Sequence, residues 1–155
     1  MSLGGGGGGG QQQMQQIAQE IEQIEEQIEA LEEEIEDLQT EQQDIDEAIE
    51  AIETLDSGST VQVPLGGGAY LRAEVQDIDE VIVEFGAGYA AEQEQSDATE
   101  VLESKQDTLD DRIEDVRSDI AELETESEEL EQQAQQMQQQ QMQQMQQMQQ
   151  QQDDE

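Results

Sequence analysis

The stretch VPLGGGAYLRAEV, residues 63–75, interrupts a chain otherwise dominated by Glu, Gln and isoleucine. Val61, Val63 and Leu65 alternate with Gln62 and Pro64, and Ala69, Leu71, Ala73 and Val75 alternate with Tyr70, Arg72 and Glu74. A period of two is the signature of a strand, and Gly66-Gly67-Gly68 between the runs predicts the loop of a hairpin. Pro64 has no N–H to give to a ladder, which suits a strand end or an edge. Further on, Val81, Val83 and Phe85 alternate with Ile82 and Glu84, and Gly86-Ala87-Gly88 turns the chain into Tyr89, Ala90 and Ala91. That is a second hairpin. Isolated hairpins are marginal in water and their open edges invite pairing with another chain. The segment therefore reads as an assembly domain and the protein as one subunit of an oligomer.

Outward from the hairpins the period changes. Met14, Ile17, Ile21, Ile24, Ile28, Leu31, Ile35, Leu38, Gln42, Ile45, Ile49 and Ile52 are spaced alternately three and four apart, and eleven of these twelve are apolar. A sustained heptad with no Pro or Gly between Gln11 and Asp56 predicts one helix of about 45 residues, roughly 68 Å at 1.5 Å per residue. Asp56-Ser57-Gly58-Ser59 supplies turn chemistry at its end. After the hairpins, Gln106, Leu109, Ile113, Val116, Ile120, Leu123, Ser127, Leu130, Ala134 and Met137 form a second stripe, with eight of ten apolar. Ser96 is the candidate N-cap, and Ser96 to Thr99 approaches a capping box without its terminal Glu. The fold class is thus α+β: a long antiparallel two-helix coiled coil with two β-hairpins at one end. The expected organisation is a disordered Gly-rich tail (1–10), a coiled-coil helix (11–56), the hairpin oligomerisation domain (57–95), a second coiled-coil helix (96–136) and a Gln/Met-rich tail or helical extension (137–155).

Composition excludes several functions. The 155 residues carry 42 acids against four Lys plus Arg, a formal net charge of −38, and no Cys or His. Nucleic acid and anionic membrane are polyanions that need a basic footprint, so neither is expected as a partner. Acid excess with almost no Lys suits a salt-accumulating cytoplasm: the Debye length is roughly 10 Å at 0.1 M salt and nearer 3 Å at 1 M. The start, Met1-Ser2-Leu3 followed by seven glycines, has no basic region or apolar stretch of a signal peptide. No apolar run is long enough to span a bilayer. A cytoplasmic protein is expected.

The motifs that could carry chemistry have plainer readings. No Lys-Ser/Thr follows Gly66-Gly67-Gly68, so it is a turn rather than a phosphate loop. Gly86-Ala87-Gly88 lacks the third glycine of a dinucleotide fingerprint. Asp44-Ile45-Asp46-Glu47 and Asp77-Ile78-Asp79-Glu80 lack the turn glycine and spaced terminal Glu of a calcium loop. Without His or Cys no nucleophilic triad is possible, and the expected shape offers no pocket for paired carboxylates. No catalytic residue, metal or cofactor is expected, and the chain is not expected to be an enzyme.

Helix, VQVPLGGGAYLRAEV, DEVIVEFGAGYAAE, helix: this order and these words resemble the alpha-type subunits of the prefoldin family, archaeal and eukaryotic holdase chaperones. The resemblance covers Ile17 to about Gln132 and is sharpest at residues 63–69 and 83–89. It implies a hetero-hexamer of two alpha and four beta subunits, with the hairpins assembled into a β-barrel platform. Coiled coils would hang from it and hold unfolded polypeptide clients at their tips, for transfer to a group II chaperonin without nucleotide. It also implies that Val61, Val63, Leu65, Leu71, Val81, Val83, Phe85 and Tyr89 are oligomerisation residues. The glycine tract and the Gln/Met tail depart from the family pattern.

Charge and methionine mark the other end of the helices. Residues 11–56 contain 17 acids and no cation, while Arg72, Lys105, Arg112 and Arg117 lie near the platform end, where Arg117 is expected to meet Glu53 or Asp46. Between Glu131 and Asp153 there is no charge, and Met137, Met142, Met145 and Met148 recur in a field of Gln, with Met14 carried to the same end. Methionine is flexible and polarisable and recurs on promiscuous surfaces. With Ile17, Ile21 and Ala134, these five methionines are the candidate client contacts. The rival reading is a structural spacer or filament subunit assembled through the same hairpins. Gln42 and Ser127 interrupt the stripes, either fixing register or loosening the arm.

Overall fold

A computed structural model describes residues 5–153. Helix α1 (Gly5–Thr54) is followed by strands β1 (Thr60–Gly66), β2 (Ala69–Glu74), β3 (Val81–Gly86) and β4 (Tyr89–Gln93), and then by helix α2 (Gln95–Asp153). The strands form two separate antiparallel hairpins, β1 with β2 and β3 with β4. Two long helices and two hairpins are the expected class. The chain divides into two compact units: Glu36–Glu114 holds the hairpins, and the other contains the remainder of both helices.

In the hairpin unit the helices run antiparallel, fixed by a reciprocal polar pair. Gln42 Nε2 donates to the Gln106 carbonyl at 3.4 Å and to Asp110 Oδ1 at 2.5 Å. Gln106 Nε2 donates in return to the Gln42 carbonyl at 3.2 Å, and also to Asp46 Oδ1. A polar pair in an apolar seam fixes register, because any slip leaves amides unpaired. Gln42 is therefore tied, not loose. Asp46 is thereby engaged by the Gln106 amide.

The ends of the helices are also joined. Gln95 Nε2 donates to the Ile52 carbonyl at 2.6 Å and the Leu55 carbonyl at 3.2 Å, satisfying acceptors that α1 leaves open at its C-terminus. Helix α2 begins at Gln95, one residue before the start expected from Ser96. Ser96 is thus inside the first turn, where its carbonyl accepts from Thr99 Oγ1 at 2.8 Å. The N-terminal cap comes from elsewhere: the Gln95 N–H donates to Asp79 Oδ1 at 3.4 Å.

The core is small and apolar. Ile45, Val83, Ala98 and Leu102 are buried together, with Ala48, Ile49, Ile52, Val81, Val101 and Leu109 packed around them. The second hairpin is therefore docked on its own helices, and burying Val83 alone is worth about 1.5–3 kcal/mol.

In the other unit, Ile17, Ile24 and Val116 are buried and the remaining stripe residues half-buried, Ser127 among them. Ile17 shares a cleft with Leu130 and Met137, and Leu31 one with Leu123, so the antiparallel order holds here too. Helical backbone continues through the Gln/Met tract to Asp153 and, at the other end, begins at Gly5, within the tract expected to be a tail. Glycine costs about 1 kcal/mol per residue relative to Ala in a helix. Those first turns are held by propagation from Gln11 onward and are the least stable of α1.

Candidate assembly and client-binding surfaces

The two hairpins share one backbone path. In both, a glycine at positive φ precedes a two-residue turn: Gly66 (101°), then Gly67 and Gly68 (59° and 82°); Gly86 (94°), then Ala87 and Gly88 (53° and 81°). Positive φ at both central residues is the type I′ geometry whose twist matches that of paired strands. Both ladders shift register just before the turn, between Pro64 and Gly66 and between Glu84 and Gly86. Leu65 and Phe85 are therefore the extra residues of two equivalent bulges. A bulge re-aims the side chains around it.

Their surroundings differ. On the first hairpin Val61, Ala73 and Val75 are half-buried, while Val63, Leu65, Tyr70 and Leu71 are 41%, 65%, 63% and 56% exposed. On the second, Val83 is 4% exposed and Val81 packs beside it, whereas Ile82, Phe85 and Tyr89 remain open. Of the residues expected to join subunits, Val63, Leu65, Leu71, Phe85 and Tyr89 thus lie on open surface and Val61 partly so. Val81 and Val83 do not: their apolar surface is already spent on Ile45, Ala98 and Leu102. Conversely, Tyr70 and Ile82 are exposed and apolar although simple alternation assigns them to the polar face. The available signal was their own chemistry, an aromatic and a β-branched residue in slots otherwise held by Gln, Arg and Glu.

The loop between the hairpins explains its acids. Asp77 Oδ1 accepts from the Asp79 N–H at 3.0 Å, and Asp79 reaches on to Gln95. The Ile78 N–H donates to Ser57 Oγ at 3.1 Å, tying this loop to the end of α1. These carboxylates position the start of α2. Among the described residues there is no group of three or more His, Cys, Asp or Glu suited to a metal ion.

In the terminal unit the candidate client residues fall into two sets. Ile17 is buried at 8%, and Met14, Ile21, Ala134 and Met137 are half-buried in the seam between the helices. Met142, Met145 and Met148 are 65%, 70% and 69% exposed. The reason is local: Gly10 faces the Gln141 side chain, and the residues preceding Gly10 in α1 are glycines with no side chains to cover α2. In this conformation the tract offers three methionines and keeps the seam residues covered.

A cleft of about 490 Å³ lies beside the second hairpin and is lined by Phe85, Val101, Lys105, Leu109 and other side chains of the same unit. No helix of the described residues is long and apolar enough to cross a membrane.

Paired helices carrying two open-edged hairpins with exposed apolar side chains define a coiled-coil assembly subunit. Comparison with known proteins makes this specific. The prefoldin subunit family matches residues 24–141, and the chain belongs to the prefoldin family. It is similar to "Prefoldin subunit alpha" of Haloarcula marismortui, 69% identical over 115 residues that cover 74% of this chain and 75% of that one. The protein of the same name from Halobacterium salinarum is 61% identical over 116 residues, 75% of this chain and 73% of that one. Among solved structures, the cryo-EM structure of filamentous PFD from Methanocaldococcus jannaschii aligns with a TM-score of 0.51 at 27% identity, covering 77% of this chain and 95% of that one.

Proposed function

We propose that the chain is the alpha-type subunit of an ATP-independent holdase that works in high salt in the cytoplasm. Two copies join four beta-type subunits through the hairpins. The coiled-coil tips hold non-native polypeptide and pass it to a group II chaperonin. No step needs a cofactor, and the chain is not an enzyme.

One observation carries this reading. Every exposed large hydrophobic residue among those described lies either on the hairpins or in the Met142–Met145–Met148 tract. The acidic helices between them expose none. A chain with one apolar surface for fixed partners and another, adaptable one for changing partners is suited to assembly at one place and capture at another. Each grip is weak, and several grips on one client multiply through effective concentration.

The test is suppression of aggregation. The chain, purified in 2 M KCl with its matching beta-type subunit, is expected to keep a diluted denatured client from scattering light without ATP. A chain truncated after Gln132 is expected to lose much of that effect. No suppression by a well-formed oligomer would overturn the reading.

A second reading has support in the similar solved structure from Methanocaldococcus jannaschii, which is of filamentous PFD. Open hairpin edges can also propagate. Closed assembly gives one mass over a wide range of concentration, and a filament gives a mass that grows with it.

A further inference from the structure

We propose that β2 pairs edge to edge with β2 of a second copy of this chain, antiparallel and centred on Ala73, so that Arg72 of each copy faces Glu74 of the other. This rests on the assembly reading above and assigns the strand, register and charges that would join the two copies.

The hydrogen-bond pattern selects the strand. The Val75 N–H donates to the Ser59 carbonyl at 2.8 Å, which fixes the phase of the β1–β2 ladder. Bonded and non-bonded pairs alternate in an antiparallel ladder. Counting from Ser59 and Val75, Val61↔Ala73 and Val63↔Leu71 are bonded pairs, while Thr60↔Glu74, Gln62↔Arg72 and Pro64↔Tyr70 are not. The backbone groups of the non-bonded residues face away from the hairpin. On β1 these belong to Thr60, Gln62 and Pro64, and Pro64 has no N–H, so that edge has a gap. On β2 they belong to Tyr70, Arg72 and Glu74, and that edge is complete. Proline at an edge is a guard against pairing, and here it guards only one side.

Charge selects the occupant and the register. Arg72 is the only cation in residues 57–95, in a chain with 42 acids, and it stands two residues from Glu74 on the same edge. Centring the pair on Arg72 would set the two cations against each other. Centring it on Ala73 makes two Arg72–Glu74 pairs, and opposite charges across strands stabilise while like charges oppose pairing. The same register sets Leu71, 56% exposed, opposite Val75 of the other copy, and places the small Ala73 on the two-fold axis. Two identical strands paired in this way form a closed, self-complementary contact.

The chain has no cysteine, so one introduced thiol reports the register. In the centred pair the two Ala73 residues form a non-bonded pair with Cα atoms about 4.5 Å apart, within reach of a disulfide. The two Arg72 residues are two positions out of register, beyond the roughly 7 Å limit. Ala73→Cys and Arg72→Cys are prepared in the full chain, assembled with the beta-type subunit in 2 M KCl and oxidised. Near-complete cross-linked dimer is expected for Ala73→Cys, with at least tenfold less for Arg72→Cys. In parallel, Arg72→Glu is expected to weaken association of the two copies about tenfold, and Arg72→Glu combined with Glu74→Arg to restore it. Cross-linking at residue 72 instead of 73, cross-linking at neither in an oligomer of unchanged mass, or no rescue by the charge exchange overturns this pairing and leaves the holdase reading intact. Loss of aggregation suppression by the unmodified chain would instead strike that reading.

Discussion

The two hairpins follow the same turn and carry the same bulge, yet one is finished and the other is not. The second lies on its own helices through Val81 and Val83, and Val83 is 4% exposed. The first holds only Val61, Ala73 and Val75 partly covered and leaves Val63, Leu65, Tyr70 and Leu71 in the open. A hairpin without a covered face is marginal by itself. The comparison teaches that the same local structure serves two purposes: the second hairpin stabilises the protomer, and the first draws its stability from whatever covers it.

The largest expected effect breaks the two apart directly. Leu102→Ala, in the core beneath the second hairpin, is expected to destabilise the protomer by about 2–5 kcal/mol, read as a lowered unfolding midpoint in 2 M KCl. Leu71→Ala, on the open hairpin, is expected to move that midpoint by less than about 0.5 kcal/mol while weakening association measured by sedimentation. Equal protomer effects would show that the first hairpin is supported from within. Next in size is Gln95→Ala, which removes the donor to Ile52 and Leu55 and leaves two helix-end acceptors to water; about 1–2 kcal/mol is expected. Its effect belongs to the second hairpin's anchorage, so hydrogen exchange of β3 and β4 amides should quicken while that of β1 and β2 stays as before.

A smaller effect sharpens the likeness of the turns. Ala87 is the only non-glycine residue with positive φ among the described residues, and Gly67 is its counterpart in the first hairpin. A residue with a Cβ costs roughly 1–2 kcal/mol in the left-handed region, partly offset by the greater freedom glycine has when unfolded. Ala87→Gly is therefore expected to stabilise the protomer by about 0.5–1 kcal/mol. Gly67→Ala carries the same strain into a hairpin that depends on partners, and is expected to reduce assembly rather than protomer stability. A destabilising Ala87→Gly would contradict the shared turn.

Much of this architecture is legible in the sequence, because heptad and alternation are local patterns. Val61 to Val75 and Val81 to Ala91 read as hairpins, and the stripes read as paired helices. Which hairpin docks was not legible, since Val63 and Val83 occupy equivalent places in equivalent words. The difference lies in the connections: β4 ends at Gln93 and α2 begins at Gln95, leaving no slack, whereas residues 55–59 separate α1 from β1. The roles of Tyr70 and Ile82 were hidden for another reason. Period-two reading assigns one face of a strand to apolar residues and the other to polar ones, and Tyr70 and Ile82 are apolar residues on the second face. Gln42 was visible as an interruption, but its pairing with Gln106 depends on a register set by everything folded between them. At the Gln/Met tract, composition found the methionines; only the structure separates the open Met142, Met145 and Met148 from the half-buried Met14 and Met137.

The smallest effect per contact is electrostatic, and it uses the second hairpin as an internal standard. Along α1, Glu22 and Glu26, Glu25 and Glu29, Glu29 and Glu33, and Glu32 and Glu36 are like-charge pairs four residues apart, with no cation in residues 11–56. Each such pair costs a few tenths of a kcal/mol, at a separation of about 5–6 Å. That separation exceeds the roughly 3 Å Debye length of 1 M salt and falls within the roughly 10 Å of 0.1 M. Repulsion is therefore screened in the first condition and felt in the second. The contacts of Ile45, Val83, Ala98 and Leu102 are apolar and carry no such term. Lowering KCl from 2 M to 0.1 M should accordingly speed hydrogen exchange across residues 20–36 well before it does so in β3 and β4. Simultaneous loss of protection in both would mean that apolar packing, not charge, sets the salt requirement. Protection that persists in the acidic helix at 0.1 M would mean that the seam of isoleucines outweighs the repulsion.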